Sequence, residues 1–143
     1  MMFPKPVKKV KKKTGLKKQS TIGKLKKVLE DLMKTLAKQR DGYICQKCGK
    51  RVEGINAHGS HVIPISASQF LRFDIQNLKC LCFHCHINWW HKHPLEAGRW
   101  FEEKFPDRYE YLQSQKLKMH TWTVPELLEM IQVYKRKVGE YNE

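Results

Sequence analysis

Two short stretches decide how this chain folds: Cys45-Gln46-Lys47-Cys48-Gly49 and Cys82-Phe83-His84-Cys85. Each Cys-x-x-Cys pair wraps a turn that aims two thiolates at one ion, and two pairs complete a tetrahedral set of four sulfurs. Gly49 suits the first knuckle, where backbone N–H groups turn toward sulfur and a Cβ is awkward. Soft thiolates in a tetrahedral set favour Zn²⁺. With all four positions taken by sulfur there is no place for water, so the ion is expected to be structural. The competing readings are a redox pair or unligated cysteines, and two matched pairs speak against both. Cys80 makes the cysteine count odd. It either replaces Cys82 as a ligand, with a poorer spacing to Cys85, or is a small buried residue.

The pairs are separated by 33 residues, more than a plain zinc ribbon uses. In and just after this insertion lie His58, His61 within Ser60-His61-Val62-Ile63-Pro64, Asn77 before Leu78, and His86 directly after Cys85. The order His61, Asn77, His86, with gaps of 16 and 9 residues, resembles the motif of the HNH (ββα-metal) nucleases. The resemblance implies that the histidine sits on a first strand, the asparagine on a loop or second strand, and the last histidine at the opening of a helix. Cleaving a phosphodiester needs an activated water, a metal beside the phosphate and stabilisation of the leaving oxygen. A neutral imidazole can take a proton near neutral pH, so His61 is the expected general base. The resemblance gives Asn77 the task of bonding the backbone that holds His61. His86 offers a neutral nitrogen to a catalytic Mg²⁺ or Mn²⁺. A lone histidine is usually an ordinary residue; the ordered set, interleaved with the cysteine pairs, is specific.

From about 43 to 112 the chain is also similar to the phage recombination nucleases of the Rap (NinG) family. The similarity is carried by Tyr43-Ile44-Cys45-Gln46-Lys47-Cys48-Gly49, Gly59-Ser60-His61, Phe70-Leu71-Arg72-Phe73-Asp74 and Asn77 through Cys85. It implies branched DNA as substrate, such as Holliday junctions or D-loops. Arg72 then either contacts phosphate or pairs with Asp74. The chain departs from the common pattern at Ser60, where many HNH enzymes place a metal-binding Asp. The expected first-strand ligand is therefore His58, with a water shell around the ion as the alternative. His91, five residues after His86, touches metal or phosphate or caps the helix. Trp89 and Trp90 are expected to pack in the core, ahead of a base-stacking role.

Charge is distributed unevenly. Residues 1–40 carry 14 Lys and Arg against two acids; residues 41–143 carry 14 against 12. A basic arm on a nearly neutral body points to a polyanion, nucleic acid before a membrane surface. Residues 1–20 hold eight Lys, two Pro and no acid, and are expected to be disordered when free. Lys8, Lys9, Lys11, Lys12, Lys13, Lys17 and Lys18 are the arm's candidate DNA contacts, joined by Arg72 and Lys92. No apolar run is long enough to span a bilayer and no signal-peptide core is visible, so the chain reads as cytoplasmic.

Residues 21–41 form an amphipathic basic helix with Leu25, Val28, Leu29, Leu32, Met33 and Leu36 in one stripe, Ser20 or Thr21 as cap and Asp41-Gly42 as stop. Its lysine face is either simply solvated or in contact with DNA. Residues 42–93 form the zinc-bound core and 94–143 a helical cover. In that cover Pro94 opens a helix to Lys104, Pro106 closes it, and a short helix spans 107–115. Thr123 and Glu126 cap a last helix bearing Leu127, Leu128, Ile131, Tyr134 and Val138. The expected fold class is α+β, a small zinc-stapled ββα core flanked by helices. The expected function is a metal-dependent DNA endonuclease acting on duplex or branched DNA, as a homodimer if it cuts a four-way junction symmetrically. The alternative is a non-catalytic zinc-binding DNA adaptor, which needs the cysteines and the arm but not His61, Asn77 or His86. RNA binding through a zinc knuckle is permitted by the arm and selected by nothing else.

Overall fold

In a computed structural model, which describes residues 20–141, two four-residue strands organise the rest. β1 (His58–His61) and β2 (Leu78–Leu81) run antiparallel, pairing His58 with Leu81, Gly59 with Cys80, Ser60 with Lys79 and His61 with Leu78. All four residues of β2 are buried, so this strand is covered on both faces. Side chains alternate across a strand. His58 and Ser60 therefore share one face, and Gly59 and His61 the other.

The Gly59/His61 face lies under α1 (Thr21–Arg40). Ser20 caps α1, its Oγ accepting from the Gly23 N–H at 3.1 Å. Gly42, at φ +65°, turns the chain back after it. The approach of α1 to β1 is close: a Cβ on Gly59 would come within 2.7 Å of Lys34 Cβ and Cγ. No residue but glycine fits there without moving the helix. The buried stripe of α1 is Leu29, Met33, Leu36 and Ala37, shifted from the expected one: Val28 is 42% exposed and Ala37 replaces it. The stripe packs on α4 (Val124–Tyr141) through Leu127 and Ile131, while Leu128, expected inside, is 48% exposed. Thr123 caps α4, taking the Glu126 N–H and donating its hydroxyl to the Glu126 carboxylate.

The outer edge of β2 is closed by charged side chains. Arg40 donates to the Ile75 and Leu78 carbonyls, Arg108 to those of Gln76 and Leu78, and the Asp41 carboxylate accepts from the Cys80 N–H at 2.8 Å. Backbone groups that an edge strand would leave open are thereby paired. After β2 the second cysteine knuckle runs into a π-helical segment, His84–Trp90, and then α2 (Pro94–Lys104) and α3 (Pro106–Gln115). Pro106 does not merely close α2; it opens α3, where its missing N–H costs no hydrogen bond. Phe101 of α2 and Leu112 of α3 pack with Leu71, under Trp90 and Trp100. The result is an α+β molecule with a ββα core. The arm lysines Lys8, Lys9, Lys11, Lys12, Lys13, Lys17 and Lys18 lie outside the described residues, and so does the expectation that the arm is disordered.

Candidate active site and metal centre

The four thiols of Cys45, Cys48, Cys82 and Cys85 lie within 4.8 Å of one another. Among the described residues they are the one cluster of three or more Cys, His, Asp or Glu donors so close together. Tetrahedral ligands at ~2.3 Å from an ion stand about 3.8 Å apart. The Cys48 and Cys82 sulfurs stand 3.9 Å apart, which fits. Gly49 takes φ +77°, and its N–H bonds the Cys45 carbonyl, as a knuckle requires. The first knuckle is tied to β2 by the Gln46 N–H on the Cys80 carbonyl. Burial acts to raise the Cys45 thiol, but backbone N–H groups of Cys48, Cys82 and Lys47 outweigh it and hold the thiol down to about 7. A thiolate there is ready to bind a cation. Cys80 stays outside the cluster, and burial pushes its thiol up to about 12. It is the small buried residue of the two alternatives.

On the far side of β1 a cavity of about 620 Å³ opens between α1, the loop after β1, the π-helical segment and α2 and α3. His61, His86 and His91 all line it, with Glu30 and Lys34 contributed by α1. The loop that follows His61 is clamped by Asn77. Its Oδ1 accepts from the Ile63 N–H at 2.8 Å, and its Nδ2 donates to the Ile63 and Leu71 carbonyls at 3.0 and 3.1 Å. All three bonds are made by a side chain with no solvent exposure.

His61 Nε2 lies 3.3 Å from the Arg72 carbonyl, a group that can only accept, so Nε2 carries the proton and Nδ1 the lone pair. Burial lowers the His61 pKa below its ordinary 6.5. The same carbonyl logic orders the other histidines. His58 Nε2 donates to the Ile55 carbonyl at 2.9 Å, leaving His58 Nδ1 to accept from His86 Nδ1 at 2.9 Å. His86 then presents an unprotonated Nε2, and His91 Nε2 stands 3.0 Å from it. Burial, then His91 and His58, push the His86 pKa down to about 3, which keeps the ring neutral.

The five-residue spacing of His86 and His91, awkward on an α-helix, is right here because the segment is π-wound. The His91 N–H bonds the His86 carbonyl, five residues back, and the ring centres lie 4.7 Å apart with the planes tilted by 43°. Ligands bound to one ion at ~2.1 Å in adjacent positions stand about 3 Å apart, so the His86/His91 pair fits a divalent cation. His58, the expected first-strand ligand, does not line the cavity. It shares a face with Ser60, not with His61, and it engages the opposite nitrogen of His86.

Arg72 pairs with Glu30 at 3.2 Å, neither with Asp74 nor with open solvent. Lys92 is exposed. Trp89 and Trp90 pack against the thiol cluster, and Trp90 also reaches the cavity. Three residues of this neighbourhood were not singled out from sequence: Glu30, Lys34 and Lys79. Lys79 is fully buried opposite Ser60. Its Nζ donates to Ser60 Oγ at 3.0 Å and sits 3.3 Å from the centre of the Trp90 ring. Burial, with Arg108 adding to it, drives its pKa well below the usual lysine value. A lone charge within the apolar run Leu78–Leu81 was the available signal. For Glu30, the signal was an acid bordering the apolar stripe, three residues before Met33 and seven before Ala37.

No helix among the described residues is long and apolar enough to cross a membrane. No curated protein and no solved structure matches the chain. Residues 45–89 do match a family model, HNH endonuclease, so the segment from the first thiol through β1, Asn77, β2 and most of the π-helical turn is similar to the domain of that family.

Proposed function

We propose that the protein is a metal-dependent endonuclease that hydrolyses phosphodiester bonds in DNA. The observation that carries this is the opening of His61, His86 and His91 into one cavity, beside a segment similar to an HNH endonuclease domain. His61 Nδ1, free of its own proton, takes one from the attacking water, while the Arg72 carbonyl holds the ring by its other nitrogen. Asn77 keeps the loop after β1 in place and so fixes where the His61 ring stands. His86 and His91 would hold the catalytic cation, Mg²⁺ or Mn²⁺. His58 orients His86 through Nδ1, in the manner of the outer partners that set a ligand's tautomer. A bound cation supplies charge neutralisation at the phosphate and at the departing oxygen. The four thiols hold a structural Zn²⁺ that anchors β2 and the π-helical segment.

The basic arm and Lys92 contact the DNA backbone, which positions the duplex without reading sequence. The Arg72 guanidinium is engaged with Glu30 and serves the site rather than the DNA backbone. Branched DNA remains the proposed substrate class, on the similarity to the Rap family alone. Supercoiled plasmid incubated with the purified protein tests the activity. Nicking with Mg²⁺ or Mn²⁺ and none with EDTA is expected. DNA binding without nicking under every divalent cation would leave the adaptor in its place.

A further inference from the structure

Among the described residues, the carboxylate of Glu30 is the only one that lines the cavity, and it comes from α1, outside the segment that matches the HNH family. Its side chain is 14% exposed and that of His61 12%, so both are largely withdrawn from water. Glu30 Oε2 takes the Arg72 guanidinium at 3.2 Å, and Oε1 lies 3.8 Å from Lys34 Nζ and 3.9 Å from His61 Nε2. That nitrogen is the one pinned by the Arg72 carbonyl, opposite the nitrogen that faces a proton to be taken. One residue thus braces Arg72, whose backbone orients His61, and also sets a negative charge behind the ring.

We infer that Glu30 is a positioning residue for His61, reaching across the helix–strand contact to hold the ring and to stabilise its protonated form. This rests on His61 being the base. A ligand role is disfavoured by the two cations, Arg72 and Lys34, already beside the carboxylate. The contact exists because Gly59 lets α1 sit directly on β1; with any side chain there, Glu30 would be lifted away from His61. The other charges facing His61 are Lys34 from α1 and Lys79 from β2, both of which oppose its protonation, so Glu30 is the group that offsets them.

The test is Glu30→Gln in the full, zinc-loaded chain, with Glu30→Asp beside it. Zinc content and affinity for a plasmid-derived duplex should stay as in the unaltered protein. Nicking should slow roughly tenfold, less than the ~10²–10⁴ expected when a general base is lost. The His61 ring, followed by NMR of labelled histidine, should titrate roughly half a unit lower or more, since a carboxylate this near favours the charged ring. Glu30→Asp should recover part of both effects. If Glu30→Gln fails to fold, Glu30→Asp carries the test: drawing the carboxylate back by one methylene should lower the His61 titration and slow nicking together, each by less than the full loss. Loss of thermal stability with the ring titration and nicking unchanged would make Glu30 a structural brace only and overturn the proposal. A shifted titration with full nicking would overturn it as well. If His61→Ala nicks as fast as the unaltered protein, the fault lies instead with the assignment of His61, and the titration still reports on Glu30.

Discussion

Asn77 shows how much can hang on one side chain. It makes three hydrogen bonds with no exposure to water, two to Ile63 and one to Leu71. Removing it strands buried partners, each costing about 1–3 kcal/mol. Asn77→Ala should therefore destabilise the protein by several kcal/mol in denaturant titrations and slow cleavage more than it weakens DNA binding. His61 makes a second prediction. Burial holds its pKa below the ordinary histidine value, which favours the neutral ring that a base needs. Single-turnover cleavage followed between about pH 5 and 8 should rise with pH, with the midpoint of the rise below the ordinary histidine value. Stability follows the same sign. The folded-state pKa values of His61 and His86 are depressed, so the unfolded chain binds more protons at acid pH. Folding free energy is full above the ordinary histidine value and declines as pH falls toward the folded ones. Residue type and order singled out residues that the fold brings together: the four thiols in one cluster, and His61 and His86 along one cavity beside the loop that Asn77 clamps. His58, expected beside the cation, lies outside the cavity lining and against His86 Nδ1 instead. Strand alternation puts positions 58 and 61 on opposite faces, which the sequence states once the strand is known.

At the scale of elements, the helices were legible because caps and prolines mark their ends: Ser20, Gly42, Pro94, Pro106 and Thr123 all act at boundaries. The π-winding of His84–Trp90 was not legible. It arises where a cysteine knuckle must aim Cys82 and Cys85 inward while two tryptophans pack behind them, and a 3.6-residue pattern carries no sign of it. Its consequence is geometric: the winding brings the His91 ring onto that of His86. The contact of α1 with β1 was also hidden, because it depends on the absence of a side chain at Gly59. Gly59→Ala should force the helix outward and lower stability by about 1–3 kcal/mol, the usual range for overpacking, read as a drop in Tm. An unchanged Tm would mean that α1 does not sit where the structure has it.

Over the whole molecule, the ββα core carries the cysteine cluster on one side and the histidine cavity on the other, with α1 and α4 packed together beyond it. The cysteine cluster and the candidate site are thus joined through β2 and the π-helical segment. The uneven charge was plain from composition, and the packing of α1 into the site was not, because charge and periodicity made it look like part of the basic flank. Deleting residues 2–20 should weaken binding to every DNA alike and flatten the salt dependence, each lost phosphate contact removing about 0.9 from the slope of log K against log salt. Loss confined to one junction or sequence would show that the arm reads structure.

The most direct measurement compares His61→Ala with the unaltered protein on supercoiled plasmid with Mg²⁺ or Mn²⁺, with zinc content and DNA affinity measured on the same preparations. Zinc and affinity should be retained while nicking falls at least about a hundredfold, the lower end for removal of a general base. Equal nicking by the two proteins, or none by either under any divalent cation, would contradict the account.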